Sequence, residues 1–600
     1  MKRRTVLKSA LAALLLAAGA RFPFAAGSKA VSRSGAKARA SARVRPGDAS
    51  WPTAAQWNRL EQQVGGRLVK PVSPLSGPGS LRYLGNPFFV GDELALTQTS
   101  GWLDAWQSQP SAYAVVAESA SDVAAAVSFA REHNLRLVVK GGGHSYKGGS
   151  CAPDSLLIWT RHMNAVTLHD AFVAQGCNGK QAPQPAVSVQ SGAMWMDAYN
   201  TATTRGGRYV QGGGCTTVGV AGLVQGGGFG SWSKNYGTAA AGLLEAEIVT
   251  ADGRIRIANA CTNADLFWAL KGGGGGTFGV VTRLTLRTRE LPERFGVVAG
   301  EIRASSDEAF RALISRMIEL YASSLFNPHW GETIRFSSRN VLVLSMVFQG
   351  LTQPEVEKIW APFFEWVRSR PEYRFDEGPL IIDIPARHFW DAQYFKDHFP
   401  GVQFPDDRPG SPADRFYWEG DRDQVGWFIH GYKSAWLPAQ LLDANRRKQL
   451  ADALYECTRH WGVGLHFNKG MAGGRAEDIA AVRDTSMNPE VIDAFALAII
   501  ATGGEPAYPS MSQPAQEIAR AHDHAVLIGK AMDALGSVAP RAGAYVSESD
   551  YFQPDWQTAF WGTHYPRLAA VKRKYDPHGL FFVHHGVGCE GWSADGFTRT

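Results

Sequence analysis

The sequence predicts an α+β fold of two domains. Its 600 residues exceed what one ordinary hydrophobic core holds. Residues 110–292 read as short strands and helices punctuated by three glycine-rich stretches. From 293 to 538 glycine is sparse, and helical patterns over 308–320 and 355–368 alternate with strand-like runs over 341–348 and 426–430. That second pattern predicts an antiparallel sheet with helices. The character changes again over 539–600, where aromatic residues cluster.

Residues 51–109, with Trp51, Leu60 and Phe88-Phe89-Val90, predict an arm packed on the first domain. A strand over 113–116, a helix capped at Ser121-Asp122 and running to Glu132, and a strand over 135–140 form a β-α-β unit. Val123, Ala126, Val127 and Ala130 share one face of that helix. Strands are expected over 155–159 and 187–190, then a helix over 192–199. A strand over 243–250 turns at Ala251-Asp252-Gly253-Arg254 into a return strand over 255–257. Asn263 begins a capped helix ending at Leu270, and 284–286 is the last strand of the domain. In the tail, Trp556, Phe560, Trp561 and Tyr565 lead into a helix stopped at Pro577.

The β-α-β unit ends in the first glycine bed, Gly141-Gly142-Gly143-His144-Ser145-Tyr146-Lys147-Gly148-Gly149. The second runs through Gly212-Gly213-Gly214-Cys215-Thr216-Thr217-Val218-Gly219 and Gly222 to Gly226-Gly227-Gly228-Phe229-Gly230. The third is Gly272 to Gly276. Glycine has no Cβ, so backbone amides there can approach a large ligand. One bed alone would be ordinary turn structure. Three within one region point to repeated backbone contact with an extended polyanionic cofactor. A lone histidine in a turn is usually structural, and a lone cysteine is usually a small buried residue. The matched glycine settings of His144 and Cys215 raise both above those readings.

Charge and cysteine usage narrow the class. The net charge is +6, but residues 1–47 hold eleven Lys/Arg and no Asp/Glu, leaving 50 basic against 55 acidic residues in the remainder. No basic surface for nucleic acid is implied. Arg3-Arg4 with Leu7-Lys8, followed by a short apolar run from Ala10 to Ala20, resembles a twin-arginine export signal over 1–26. The run is shorter than the ~20 residues of a membrane span. Residues 27–50, rich in Ala, Ser and Arg, predict a disordered linker. Export permits disulfides. Of Cys151, Cys177, Cys215, Cys261, Cys457 and Cys589, the pair most easily imagined is Cys151 with Cys177. The spacing carries no metal-ligand pattern. A dinucleotide fingerprint, a Walker A loop, a Gly-x-Ser-x-Gly elbow and a His-Glu-x-x-His motif are all missing.

Four ordered motifs are similar to one family. The Gly-Gly-His of the first bed, the Gly-Cys-Thr-Thr-Val-Gly-Val run of the second, Asp265 to Gly275 with Phe278-Gly279-Val280-Val281-Thr282, and Tyr575-Asp576-Pro577 with Gly579-Leu580-Phe581 resemble the berberine-bridge-enzyme-like flavin oxidases. The resemblance covers about 110–290 and 540–585. It implies a vanillyl-alcohol-oxidase-type fold: an FAD-binding domain of two subdomains over 110–292, an inserted substrate domain over 293–538, and a C-terminal return over 539–600. By the same match FAD is held covalently, its 8-methyl carbon by His144 and its ring position 6 by Cys215. Gly141, Gly142, Gly143, Ser145, Gly148, Gly213, Gly214, Thr217, Val218, Gly219, Gly222, Gly227, Gly228, Gly230 and Val280 become cofactor-binding residues. Thr216 stands where the family has proline, Ala221-Gly222-Leu223 departs from a Gly-Gly-His-like run, and Gly276-Thr277 stands where Asn is common.

The implied reaction takes a hydroxyl proton and a hydride from a small-molecule substrate, with dioxygen (O2) as acceptor and hydrogen peroxide as product. A dehydrogenase or oxidative cyclase using another acceptor, and a non-catalytic flavin-binding envelope protein, are the competing readings. The family's tyrosine base lies in a Tyr-x-Asn-Tyr-like segment. Here Tyr545-Val546-Ser547-Glu548 replaces it, so Glu548 is the candidate base, assisted by Tyr545 or Tyr551. Strand alternation would put Glu548 on the face of Val546 and raise its need for a function. Val218 lies at the family's oxygen-access position, where a small residue favours an oxidase. His584-His585 follows the last motif and would approach the flavin, and Lys433-Ser434 resembles a recurring family dipeptide.

Overall fold

The computed structural model describes residues 42–376, 378–511 and 513–600. The export signal expected over 1–26 lies outside them, as does most of the linker. Residues 42–50, expected as disordered linker, are instead fixed on the protein. Arg43 donates to the carbonyls of Leu580 (3.1 Å) and Gly579 (2.5 Å), and Val44 bridges to Leu135. Among the described residues no helix is long and apolar enough to cross a membrane.

The first subdomain is a four-stranded sheet in the order Leu68–Val69, Tyr113–Val116, Leu156–Trp159, Leu137–Lys140, with the last three parallel. Parallel strands need a crossover, and the helix Ala120–Glu132 supplies it. Its Val123, Ala126, Val127 and Ala130 bury against Val115, Leu137 and Ile158. The helix is capped two residues earlier than expected. Ser119 is the N-cap, and Asp122 sits at N3, where its carboxylate accepts from Ser119 N–H while Ser119 Oγ accepts from Asp122 N–H.

The second subdomain is a six-stranded sheet. Its path runs Ile255–Asn259, Leu243–Val249, Val280–Glu290, Gln184–Gln190, Val166–Phe172, with Arg208–Val210 also on Val280–Glu290. The strand expected over 284–286 is eleven residues long, and the hairpin at 250–254 is present. Asn263 precedes the helix Ala264–Leu270 at φ 49°, but its side chain donates to Ile257 O at 2.7 Å and does not cap. The disulfide joins Cys177 to Cys261, and Cys151 is free, correcting the expected Cys151–Cys177 pair. Asn259 holds Gln175 O at 2.9 Å, which brings the Cys177 loop onto the hairpin of Cys261. Cys151 lies elsewhere, beside Ser108. The bond closes an 84-residue separation. Cys261→Ser is therefore expected to lower unfolding stability by about 2–4 kcal/mol in urea titration; an unchanged midpoint would contradict that constraint.

The largest sheet has ten strands, mostly antiparallel, running from Tyr373–Phe375 through Arg294–Ala304, Val341–Gln349, Trp330–Ser337, Val463–His466 and Ala494–Gly504 to Trp427–Pro438. Helices Asp307–Leu320, Gln353–Arg368, Arg447–His460 and Ala515–Gly536 bury one of its faces. The segment 51–109, expected as an arm on the first domain, divides between domains. Trp57 and Leu60 bury in the first subdomain, while Thr99–Trp102 pairs in parallel with Trp427–Pro438. The C-terminal return is held by Lys572. Its ammonium donates to Asp576 Oδ2 and Thr277 O at 2.6 Å and to Phe581 O at 2.7 Å, tying the helix Tyr565–Tyr575 to the third glycine bed. Asp576 also accepts from the backbone N–H of Leu580 and Phe581, which accounts for the Tyr-Asp-Pro motif.

Candidate active site

The first two glycine beds touch. A Cβ on Gly142 would lie 2.6 Å from Gly219 N and 2.8 Å from Thr217 O, so only glycine allows this backbone approach. Gly143, at φ 77°, then turns the chain so that His144 faces the second bed. His144 Nε2 pairs with Thr217 Oγ1 at 3.0 Å, which leaves Nδ1 for the cavity. Burial lowers the imidazole to about 3, so His144 is neutral and carries a lone pair. Trp195 and Met196 donate their N–H groups to Val218 O and Thr216 O, fixing the loop that presents Cys215. His144 and Cys215 line one cavity of about 320 Å³.

That cavity is shaped for a large polar ligand. Gly141, Gly142, Gly143, Ser145, Gly213, Gly214, Val218, Gly219, Gly222 and Val280 lie on its wall, joined by Gly274 to Gly276. Lys147 Nζ, Ser191 Oγ, Gln225 Oε1, Thr277 Oγ1, Asn468 Oδ1 and His585 Nδ1 line it too, are buried, and have no hydrogen-bond partner among the described residues. Buried polar atoms are costly unless satisfied. Residues that carry so many donors and acceptors on a glycine-rich wall fit a large polar cofactor such as FAD. Lys147 is the sharpest case: its ammonium, 3.8 Å from the Phe560 ring centroid, is lowered to about 7 by burial and wants an anion.

Five of the expected cofactor residues stand behind the wall. Thr217 holds His144, Gly148 packs on Trp106, and Gly227, Gly228 and Gly230 pack on Met487, Leu223 and Gly212. Their role is to shape the bed.

The opposite wall belongs to the domain of the ten-stranded sheet and to the C-terminal return. Residues 545–548 form a tight turn, with Glu548 N–H donating to Tyr545 O at 2.9 Å. The expected strand alternation does not hold there, and Tyr545, Val546, Ser547 and Glu548 all reach the cavity. Lys433 and Ser434 brace this turn: Lys433 pairs with Asp550 at 2.6 Å, and Ser434 Oγ donates to Glu548 O at 2.5 Å. Glu548 is ion-paired with Lys469. Tyr545 OH accepts from Gly228 N–H at 3.2 Å, and burial pushes the phenol up to about 12. Tyr551 stacks on His584 with ring centroids 3.8 Å apart, behind the cavity wall, while His584 and His585 themselves line it.

Glu332 escaped the sequence reading. It is 5% exposed and sits at φ 62°, a backbone region non-glycine residues rarely adopt. Its Oε1 accepts from Ser231 Oγ at 2.6 Å and Asn468 Nδ2 at 3.3 Å, inside the cavity. Burial pushes the carboxyl up to about 7, against the Ser231 bond and the Lys469 charge. A raised acid binds its proton more tightly in the folded state. The stability it contributes is full below about 4.5 and is lost as pH rises through about 7. Glu332→Gln is expected to remove a pH-dependent loss of about 3 kcal/mol over that window. Unfolding midpoints of the two proteins that run parallel from pH 4 to 8 would contradict it.

A second cavity of about 300 Å³ shares Tyr146, His466, Lys469 and Glu548 with the first. Trp427, Tyr432 and Trp461 add aromatic faces, and Arg335 and Arg339 add charge. It forms a route from the surface to Glu548.

Residues 111–259 match the family described as FAD binding domain, and 544–588 the one described as berberine and berberine like. The FAD-linked oxidoreductase easE of Arthroderma otae is 30% identical over 601 residues, covering 93% of this chain and 91% of that protein. The chain belongs to the berberine-bridge-like FAD-linked oxidoreductases of vanillyl-alcohol-oxidase type. The crystal structure of the flavoprotein MtVAO615 from Myceliophthora thermophila C1 superposes with a TM-score of 0.71 at 25% identity, covering 93% of this chain and 100% of that one. The same fold is found in a glucooligosaccharide oxidase from Acremonium strictum that carries 6-S-cysteinyl, 8α-N1-histidyl FAD. That match has TM-score 0.59 and 20% identity, over 80% of this chain and 91% of that one. In this family's terms, the glycine beds form the FAD-binding domain and the ten-stranded sheet roofs it.

Glu332, Lys469 and Asn468, from the roof, were not foreseen. No local pattern marks them, since they reach the site through sheet register and long-range packing.

Proposed function

We propose that this oxidoreductase is an exported oxidase. It would take a hydride from a hydroxyl-bearing carbon of a sugar-like or secondary-metabolite substrate, with FAD attached through both His144 and Cys215 and dioxygen as acceptor. One observation carries the reading: both nucleophiles wall a single cavity whose opposite wall holds Glu548 beside the route from the surface. The glucooligosaccharide oxidase with the corresponding two attachments supports it. FAD, when bound, supplies the hydride acceptor and the path of the electrons to dioxygen, with hydrogen peroxide as product.

The chain's own residues do the rest. Neutral His144 offers Nδ1, and its Nε2 bond to Thr217 fixes the ring. Lys147 offers positive charge to an electron-rich edge of the cofactor. Glu548 takes the substrate hydroxyl proton, for which a base must come within about 2.6–3.2 Å. Lys469 orients its carboxylate. Tyr545, at about 12, is a weak proton acceptor at neutral pH and fits better as a donor. Trp427, Tyr432 and Trp461 offer stacking faces to a sugar or a flat ring. The twin-arginine-like leader supports export of a folded, cofactor-loaded enzyme. Val218, small and on the cavity wall, leaves room for dioxygen.

A panel of oligosaccharides and aromatic alcohols assayed under air is the test. Peroxide formed in step with substrate loss is expected. Turnover that requires a dye acceptor and yields no peroxide would assign a dehydrogenase instead.

A further inference from the structure

We propose that Asp421 is the proton acceptor that lets Cys215 form its bond to the flavin ring. The inference rests on the Cys215 attachment proposed above. Asp421 comes from the substrate domain, in the short helix Glu419–Arg422, and is 5% exposed. Its Oδ2 accepts three hydrogen bonds: Thr216 Oγ1 at 2.8 Å, Thr216 N–H at 3.2 Å and Trp418 N–H at 3.2 Å. Its Oδ1 is buried and has no such partner among the described residues. Thr216 follows Cys215 in the chain, so these bonds hold the carboxylate beside the loop that presents the thiol, and its charge acts on the thiol.

Thr216 explains the arrangement. At this position proline would have neither an N–H nor a hydroxyl. Threonine supplies both, and both go to Asp421 Oδ2. The departure from the family pattern therefore anchors one carboxylate oxygen and leaves the other unpaired among the described residues, on the residue that clamps the neighbour of Cys215.

The chemistry balances as follows. A sulfur electron pair forms the S–C bond at ring position 6, the thiol proton passes to Asp421, and the proton on that ring carbon is released. The two electrons gained by the ring go to dioxygen, which leaves as hydrogen peroxide. Burial raises the Cys215 thiol well above its usual range, and the nearby carboxylate charge adds to that. A preformed thiolate is thus disfavoured, and the proton must leave as the bond forms. Burial also raises Asp421, which narrows the mismatch between donor and acceptor. Glu332, Glu548, Lys469 and Tyr146 share the cavity with the thiol, and the phenols of Tyr199 and Tyr432 lie near it outside the cavity wall. Tyr417 and Arg422 flank Asp421. Because Asp421 lies in the roof, the second attachment can be completed only after the substrate domain has closed on the glycine beds.

The test follows attachment itself. Full-length apoprotein is incubated with FAD in air, samples are denatured and alkylated, and the Cys215 peptide is weighed. In wild type, Cys215 is expected to become blocked to alkylation. In Asp421→Asn at neutral pH its blocking should slow by about 100-fold or more, the lower end of general-base effects. The His144 attachment should persist, showing that the variant folds and binds FAD. Asp421→Glu should restore part of the blocking at neutral pH. Wild-type kinetics in Asp421→Asn would overturn the proposal. So would a loss of attachment at both residues that Asp421→Glu does not relieve, which marks a structural role. A wild-type Cys215 that stays open to alkylation would instead sink the attachment reading on which the proposal stands.

Discussion

The double variant His144→Ala with Cys215→Ala is expected to release all of its flavin on acid denaturation, while either single variant retains it. The reason is geometric. The two side chains reach one cavity from different glycine beds, so each can hold the cofactor without the other. The His144 variant also loses the bond to Thr217 Oγ1 and leaves that hydroxyl to find a new partner. Its flavin is therefore expected to be retained with a less rigid first bed. The beds themselves keep their shape, because the close approach of Gly142 to Gly219 is a backbone contact untouched by either change. The assay is the colour and flavin content of the precipitate against the supernatant. Flavin retained by the double variant would place the attachment on another residue. Flavin lost from one single variant would leave a one-point attachment through the residue that variant lacks.

Glu548→Gln is expected to lower kcat by about 10²–10⁴-fold with KM little changed, the size of a lost general base. Glutamine keeps the shape of the side chain and removes its charge. Lys469, 9% exposed at its side chain, would then be left without its carboxylate partner, so some loss of stability accompanies the change. Glu332→Gln is the necessary comparison. Glu332 is also a carboxyl on the cavity wall, and at about 7 it is half ionised near neutrality. If Glu548 is the acceptor, Glu332→Gln costs much less in kcat and shifts the acid limb of the pH profile. A larger loss at Glu332 than at Glu548 would move the base from the 545–548 turn to the roof.

How much of this was legible in the sequence follows from how far apart the partners lie. The glycine beds were legible, since close backbone approach requires glycine and the requirement is written in consecutive residues. The crossover helix was legible from Val123, Ala126, Val127 and Ala130, whose spacing marks its buried face. Long strands of the second domain were legible from their apolar runs. The strand Trp427–Pro438 was longer than its visible run, because partners on both sides replace the signal of alternation. The turn at 545–548 mimicked a strand, since four residues that alternate can equally fold back through one hydrogen bond. Glu332 was invisible because its left-handed backbone is imposed by tertiary contacts. Asp421 and Cys215 are brought together by the packing of two domains, as is the Cys177–Cys261 pair by that of a loop on a hairpin. No periodicity records such contacts.

The mass of the acid-denatured wild-type protein, taken with its visible spectrum, decides whether FAD is covalently held. The polypeptide plus one FAD is expected, with the yellow colour in the precipitate. The mass of the unmodified polypeptide, with all flavin left in the supernatant, would contradict it.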